Sequence, residues 1–168
     1  MVEWFNADEI FEIAQQIELN GAAFYRRAAE LSAAPDARAL LASLADMETH
    51  HERVFAVMRD DLWREDPEWL AKMLDANGAS ETALYLQAIA DGRVFDFKGD
   101  PAASLTESTS LASILQVAIG LEKDSIVFYL GIKAAMPEGV GKEKLEDILR
   151  EEMTHISLLS RQLAAQQG

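Results

Sequence analysis

The chain has 168 residues, 49% apolar and 26% charged, a length and balance ordinary for a single globular domain with a substantial core. It has no cysteine, which excludes disulfides, thiolate zinc sites, cysteine-ligated iron–sulfur centres and cysteine nucleophiles, and is compatible with a reducing cytoplasm. The formal net charge of −14 repels phosphate backbones and argues against nucleic acid as a partner. The opening Met1-Val2-Glu3-Trp4 is acidic and short, so no cationic, apolar leader is expected. The apolar run from Ile114 to Leu121, broken by Gln116, is too short to span a bilayer. A cytoplasmic protein without a membrane span is the expectation.

Taken in order, Asn6 with Glu9 three residues later has the spacing of a capping box. Ile10, Ile13, Ile17, Phe24 and Leu31 recur with a helical period and predict a first helix over about 7–32. Ser32-Ala33-Ala34-Pro35 reads as a short turn, with Pro35 suited to the first turn of a second helix over about 36–60. Two long helices joined by so short a turn lie antiparallel. Residues 61–107 read differently. A short helix over 67–74 is ended by Asn77-Gly78, a second over 81–90 is capped by Ser80 and ended by Asp91-Gly92, and a loop over 93–104 is punctuated by Gly99-Asp100-Pro101. This stretch holds Trp63, Trp69, Tyr85, Phe95 and Phe97, which are expected to lie on the bundle or on a second subunit. A third long helix is predicted over 108–135, with Pro137 just beyond, a turn at Gly139-Val140-Gly141, and a fourth helix over 142–166.

Two short motifs stand out on this frame. Glu48 and His51 are three residues apart, and so are Glu152 and His155. On a helix that spacing puts a carboxylate and an imidazole on one face. Each pair interrupts an apolar stripe, formed by Leu41, Leu44 and Phe55 around the first and by Leu145, Ile148 and Leu159 around the second. An acid inside an apolar stripe contradicts its surroundings and marks a site when it recurs.

The recurrence extends along both helix pairs without a gap, at a constant separation of 104 residues. Glu18 falls on Glu122, Phe24-Tyr25 on Phe128-Tyr129, and Ile10, Ile13, Ala14 and Ile17 on Ile114, Val117, Ala118 and Leu121. This is an internal repeat of a helix pair, with residues 61–107 inserted between the copies. The face of Glu18 is shared by Phe11, Ala14, Ala22 and Tyr25, and that of Glu122 by Leu115, Ala118, Ile126 and Tyr129, with no Lys or Arg among them. A buried unpaired carboxylate costs roughly several kcal/mol, and four would rival the ~5–15 kcal/mol stability of a whole domain. Two divalent cations offset that cost; protonation of some of the acids is the alternative. Four carboxylates and two imidazoles suit iron or manganese, with zinc also within the range of the donor set.

Around these six residues other readings stay open. Tyr25 and Tyr129 are either core aromatics or donors that orient a ligand carboxylate across the bundle. His50 has no counterpart, because Thr154 stands at the matching place, and reads as a surface histidine. Asp46 and Glu151 read as exposed acids beside the candidate ligands. Gly21, matched by Ser125, is either a point of close helix approach or a tolerated small residue.

Glu18 with Phe24-Tyr25, Glu48-x-x-His51, Glu122 with Phe128-Tyr129, and Glu152-x-x-His155 together resemble the ferritin-like di-iron carboxylate superfamily, and within it the rubrerythrin-type proteins. The resemblance covers the four long helices, about two thirds of the chain. It implies an all-α, ferritin-like four-helix bundle of two antiparallel helix pairs with a long crossover carrying short helices. It implies two iron ions, cycling between Fe2+ and Fe3+, held by Glu18, Glu48, His51, Glu122, Glu152 and His155. It implies oxidoreductase chemistry, in which peroxide or oxygen is reduced as Fe(II) is oxidised, and it implies an external electron donor protein and a homodimer or larger assembly. Two departures stand beside it. Rubrerythrins proper carry a cysteine-ligated, rubredoxin-like centre and this chain has no cysteine; they also carry a further glutamate three residues after the one matching Glu122, where this chain has Ser125. The crossover is also longer than in cage-forming ferritins. An iron-handling ferroxidase or storage-type protein is a second reading. A di-iron hydroxylase of a small organic substrate such as a quinone is a third, with the aromatic-rich crossover supplying an apolar pocket.

Overall fold

The computed structural model describes residues 7–65, 67, 81–90, 98–136 and 141–166. Five helices lie among them: α1 (Ala7–Leu31), α2 (Pro35–Glu65), α3 (Glu81–Ala90), α4 (Leu111–Ala135) and α5 (Lys142–Ala165), with a single 3-10 turn at Pro101–Ser104. The expected cap at Asn6, the helix over 67–74, Pro137 and Gly139-Val140, and the side chains of Trp69, Phe95 and Phe97 lie outside the described residues.

The α1–α2 turn closes as the sequence requires. Pro35 takes the first helical position, where its missing N–H is no loss. Arg38 donates from Nε and Nη2 to the carbonyl of Ser32 at 3.1 and 2.8 Å, satisfying a helix-end acceptor. The second helix runs to Glu65, five residues past its expected end at Asp60. The apolar stripe of Phe55 and Met58 continues to Leu62, all buried, and that burial carries the helix on. The third long helix begins at Leu111 and not near 108. Ser110 caps it by accepting the N–H of Ser113 at 3.1 Å, while Thr106, Ser108 and Thr109 bond to one another in the turn before it. Gly141, at φ 69°, starts α5 in the left-handed region that glycine tolerates.

Pairs of contacts set the topology. The α1 start meets the α2 end through Arg59, which binds Asp8 and Glu12, so α1 and α2 are antiparallel. Lys133 and Glu146, 2.8 Å apart, fix α4 and α5 the same way. Tyr25 reaches Glu122 and Tyr129 reaches Glu18, so α1 and α4 are antiparallel as well. The end of α2 and the start of α4 therefore lie at opposite ends of the bundle. The connection between them must travel the length of a 25-residue helix, about 37 Å. On the way α3 lies on α4, burying Leu86 and Ile89 and donating from the Tyr85 hydroxyl to the carbonyl of Val127 at 2.7 Å. Gly131 makes this approach feasible, since a Cβ there would stand 2.5 Å from Tyr85 Cε1 and 2.8 Å from Leu86 Cδ2.

The core falls into two apolar layers. One holds Phe11, Phe55, Phe128 and Tyr129 with Leu62 and Leu86; the other holds Phe24, Tyr25, Leu41, Leu44, Leu115 and Leu159. Between them lies a buried polar layer of Glu18, Glu48, His51, Glu122, Glu152 and His155. No helix among the described residues is long and apolar enough to cross a membrane.

Candidate metal centre

Each long helix delivers its polar side chain to the same depth. Glu18 comes from α1, Glu48 and His51 from α2, Glu122 from α4, and Glu152 and His155 from α5, and none is more than 4% exposed. Nδ1 of His51 lies 3.0 Å from Glu152, 3.5 Å from Glu18 and 3.8 Å from Glu48. Nδ1 of His155 lies 3.2 Å from Glu48, 3.2 Å from Glu152 and 3.4 Å from Glu122. The two imidazoles stack with centroids 5.7 Å apart and planes 19° from parallel. The donor atoms sort into two groups able to hold an ion, Glu18, Glu48, His51 and Glu152 in one and Glu48, Glu122, Glu152 and His155 in the other. Glu48 and Glu152 belong to both.

The chemistry of these atoms tests whether metal fits. Glu18 Oε2, Glu48 Oε1, both oxygens of Glu152, and Nδ1 of His51 and of His155 are buried without a hydrogen-bond partner outside the cluster. Leaving buried polar atoms unsatisfied costs ~1–3 kcal/mol each, and more for charged ones. The six converge on one another, so a cation between them satisfies all of them at once. Among the described residues no Lys or Arg makes an ion pair with any of the four carboxylates.

Without a cation the cluster must hold protons. Burial and the neighbouring Glu48 charge push the Glu18 carboxyl well above its usual range. Burial, the Glu18 charge and the hydrogen bond shared with Glu122 push Glu152 up to about 8. Burial alone would lower both histidines. The carboxylates around them prevail, raising His51 far above its ordinary value and His155 to about 12. Glu122 moves the other way. Burial raises it, but hydrogen bonds from Glu152, His155 and Tyr25 and the His155 charge bring it below the ordinary value. A divalent ion competes for positions that protons otherwise fill.

The residues around the cluster complete the picture. The Tyr25 hydroxyl donates to Glu122 Oε1, and the Tyr129 hydroxyl donates to Glu18 Oε1. Burial and the adjacent carboxylates hold both phenols well above their usual pKa, so they remain neutral donors. A Cβ at Gly21 would stand 3.4 Å from Glu48 Cγ, which makes this glycine a point of close approach. His50 and Asp46 are exposed, as expected. Glu151 is not merely an exposed acid. Its Oε2 accepts from Nε2 of His51 at 2.7 Å, which leaves Nδ1 as the ring nitrogen that faces the carboxylates and would give up its proton to a cation. Sequence reasoning missed this contact because it spans two helices, and its only trace is that the repeat has Met47 at the place matching Glu151.

No protein-family model matches the chain, and no curated protein sequence matches it. A crystal structure of a candidate ferritin-like diiron-carboxylate protein from Thermotoga maritima superposes with a TM-score of 0.71, covering 96% of this chain and 97% of that one at 21% sequence identity. That likeness, together with the antiparallel pairing of α1 with α2, α1 with α4, and α4 with α5, shows that the chain has the ferritin-like helical-bundle fold.

Proposed function

We propose that the chain is a dinuclear-iron oxidoreductase of rubrerythrin type, which reduces peroxide or oxygen at the expense of Fe(II). One observation carries the reading: buried donor atoms of Glu18, Glu48, His51, Glu152 and His155 have no hydrogen-bond partner outside the cluster, and with Glu122 these residues form two ion-sized groups that share Glu48 and Glu152. In this reading Glu18 and His51 hold one iron, Glu122 and His155 hold the other, and Glu48 and Glu152 serve both. Four carboxylate charges against two divalent ions leave the buried layer neutral, which removes the cost of bare acids in a low-dielectric interior. Oxygen and imidazole donors suit iron and manganese, and zinc after them. The description of the Thermotoga maritima protein as diiron-carboxylate points the same way.

The chemistry that an iron pair supplies here is two electrons, enough to convert one peroxide and two protons into two waters. The protein's own groups set the stage. Tyr129 fixes Oε1 of Glu18 and leaves Oε2 toward His51, while Tyr25 fixes Oε1 of Glu122, the oxygen that faces His155. Glu151 fixes the His51 ring in the tautomer with Nδ1 free. The two apolar layers keep bulk water from the carboxylates. With no cysteine in the chain, electrons for repeated turnover come from an external donor.

The test is an anaerobic Fe(II) titration of the metal-free full chain, followed by separate exposure to oxygen and to hydrogen peroxide. Saturation at two irons per chain, with near-ultraviolet absorbance of oxidised iron rising faster with peroxide, is the expected result. Absence of saturable iron binding overturns the reading.

A further inference from the structure

A cavity of about 300 Å³ opens beside the polar layer, between α1 and α4. Its floor is Glu48 and Glu122, its walls include Ile17, Gly21, Leu121 and Ser125, and Gly99 to Pro101 roof it. The volume far exceeds what peroxide or oxygen needs. An apolar cavity of about 150 Å³ accepts benzene, so this one takes a substituted ring. The roof is fastened in place. Asn20 Nδ2 donates to the Gly99 carbonyl at 3.2 Å, and Asp100 caps the 3-10 turn by accepting the Ala102 N–H at 2.9 Å. The two small wall residues, Gly21 and Ser125, occupy matching places in the repeat, so both copies leave this space open.

The polar lining selects the guest. Among the described residues no Lys or Arg lines the cavity, while Glu48, Asp100, Glu122 and Asp124 do. An anion entering there meets only like charge. The side-chain hydroxyls are committed as donors, Tyr25 to Glu122 and Ser125 to the Leu121 carbonyl at 3.0 Å. Their remaining lone pairs, and the carboxylates, accept. Carboxylates outnumber the Asn20 amide in this lining, so a guest that donates a hydrogen bond satisfies more of it than one that only accepts.

We propose that this cavity is a binding site for a one-ring organic molecule carrying an O–H or N–H donor and no negative charge. This deepens the reading of the dinuclear centre and rests on it only for what the bound molecule meets, since the guest lies directly against Glu48 and Glu122.

The experiment titrates the full chain, metal-free and loaded with Zn(II), with phenol, anisole and benzoate as probes, followed by ligand-observed NMR. Phenol binds about tenfold more tightly than anisole, which has the ring without the donor, and benzoate shows no binding. Ser125→Leu fills the cavity from α4 and lowers phenol affinity at least tenfold, roughly the effect of removing the site, with zinc still bound at two per chain. Ile17→Trp fills it from α1 and gives the same loss, which keeps the test intact if the leucine variant does not fold. Equal binding of phenol and anisole, binding of benzoate, or phenol affinity unchanged in both filled variants overturns the proposal. Failure to bind zinc, with the phenol results as expected, counts against the dinuclear reading and leaves the cavity site standing.

Discussion

Glu151 accepts a hydrogen bond from Nε2 of His51 at 2.7 Å, whereas Nε2 of His155 is buried with no partner. The repeat explains the difference, because Met47 stands where the second copy would need its own Glu151. A carboxylate on the far nitrogen makes an imidazole a stronger and better-oriented ligand. The two halves of the centre are therefore unequal in spite of the repeat. Glu151→Ala should weaken binding about tenfold in the half that contains His51, the lower end of the usual range, because Glu151 borders an open groove and water replaces it in part. A Co(II) titration followed by visible absorbance checks this, with the variant filling in two separated steps. Met47→Glu should tighten the His155 half by a similar factor. If Glu151→Ala left both steps unchanged, the contact would be a surface hydrogen bond without consequence for the centre.

The six central residues were legible in the sequence because each leaves a local mark. An acid or histidine in an apolar stripe is anomalous, and the 104-residue register makes the anomaly recur. The partners of those residues were legible only in part. Tyr25 and Glu122 are 97 residues apart in sequence, so helical periodicity places each in the core without showing that they touch. The periodicity of α2 past Asp60 was equally present, since Leu62 continues the stripe of Phe55 and Met58. Of the aromatics in the crossover, Trp63 donates its indole N–H to Asp8 at 2.7 Å and Tyr85 binds Val127; both rest on the bundle with one face open.

The reciprocal bonds from Tyr25 to Glu122 and from Tyr129 to Glu18 lead to a second prediction. Tyr→Phe at either place keeps the ring and its packing but strips a buried carboxylate of its donor. The expected cost to the metal-free fold is roughly 1–3 kcal/mol for each change, the penalty for an unsatisfied buried acceptor. Thermal unfolding by circular dichroism measures it. The two tyrosines serve carboxylates of one interacting cluster, so the double variant should depart from the sum of the single ones. Metal affinity should fall about tenfold in each variant, since the freed carboxylate turns away from the centre. A loss of stability with metal affinity unchanged would leave the tyrosines as core residues only.

Proton uptake sets the pH dependence of the metal-free protein. Glu152 rises from an ordinary 4.5 to about 8 on folding, so its contribution is complete below about 4.5 and is lost as pH climbs through 8. His155 rises from 6.5 to about 12, so its contribution is complete below 6.5 and declines steadily above it. Both decline between pH 6 and pH 9. Glu122, which is lowered, acts only below its ordinary 4.5, outside that window. The metal-free protein should therefore melt at a lower temperature at pH 9 than at pH 6. Metal displaces the same protons, so zinc affinity should rise over that range and the gap in melting temperature between zinc-loaded and metal-free protein should widen. Calorimetry at pH 6, 7.5 and 9 is the measurement, and a gap that narrows with rising pH would count against these groups as ligands.

Glu48 and Glu152 are the only residues common to both ion-sized groups, so changing both to alanine leaves each group with one carboxylate and one imidazole. That is too few to hold a pair, and two-per-chain binding should vanish while the helical circular dichroism persists. The stability of the metal-free variant depends on pH, with a change of sign. At pH 6 Glu152, held up to about 8, keeps its proton, and the variant suffers chiefly the loss of packed volume, about 2–5 kcal/mol for each large-to-small core change. At pH 9 Glu152 has lost that proton, and the added buried negative charge costs roughly several kcal/mol. The variant lacks this carboxylate and escapes that cost. It should therefore melt below the wild type at pH 6 and close the gap or pass it at pH 9. Equal offsets at both values would mean that the four acids do not share one buried charge balance, and the assignment of Glu48 and Glu152 as the shared pair would fail with it.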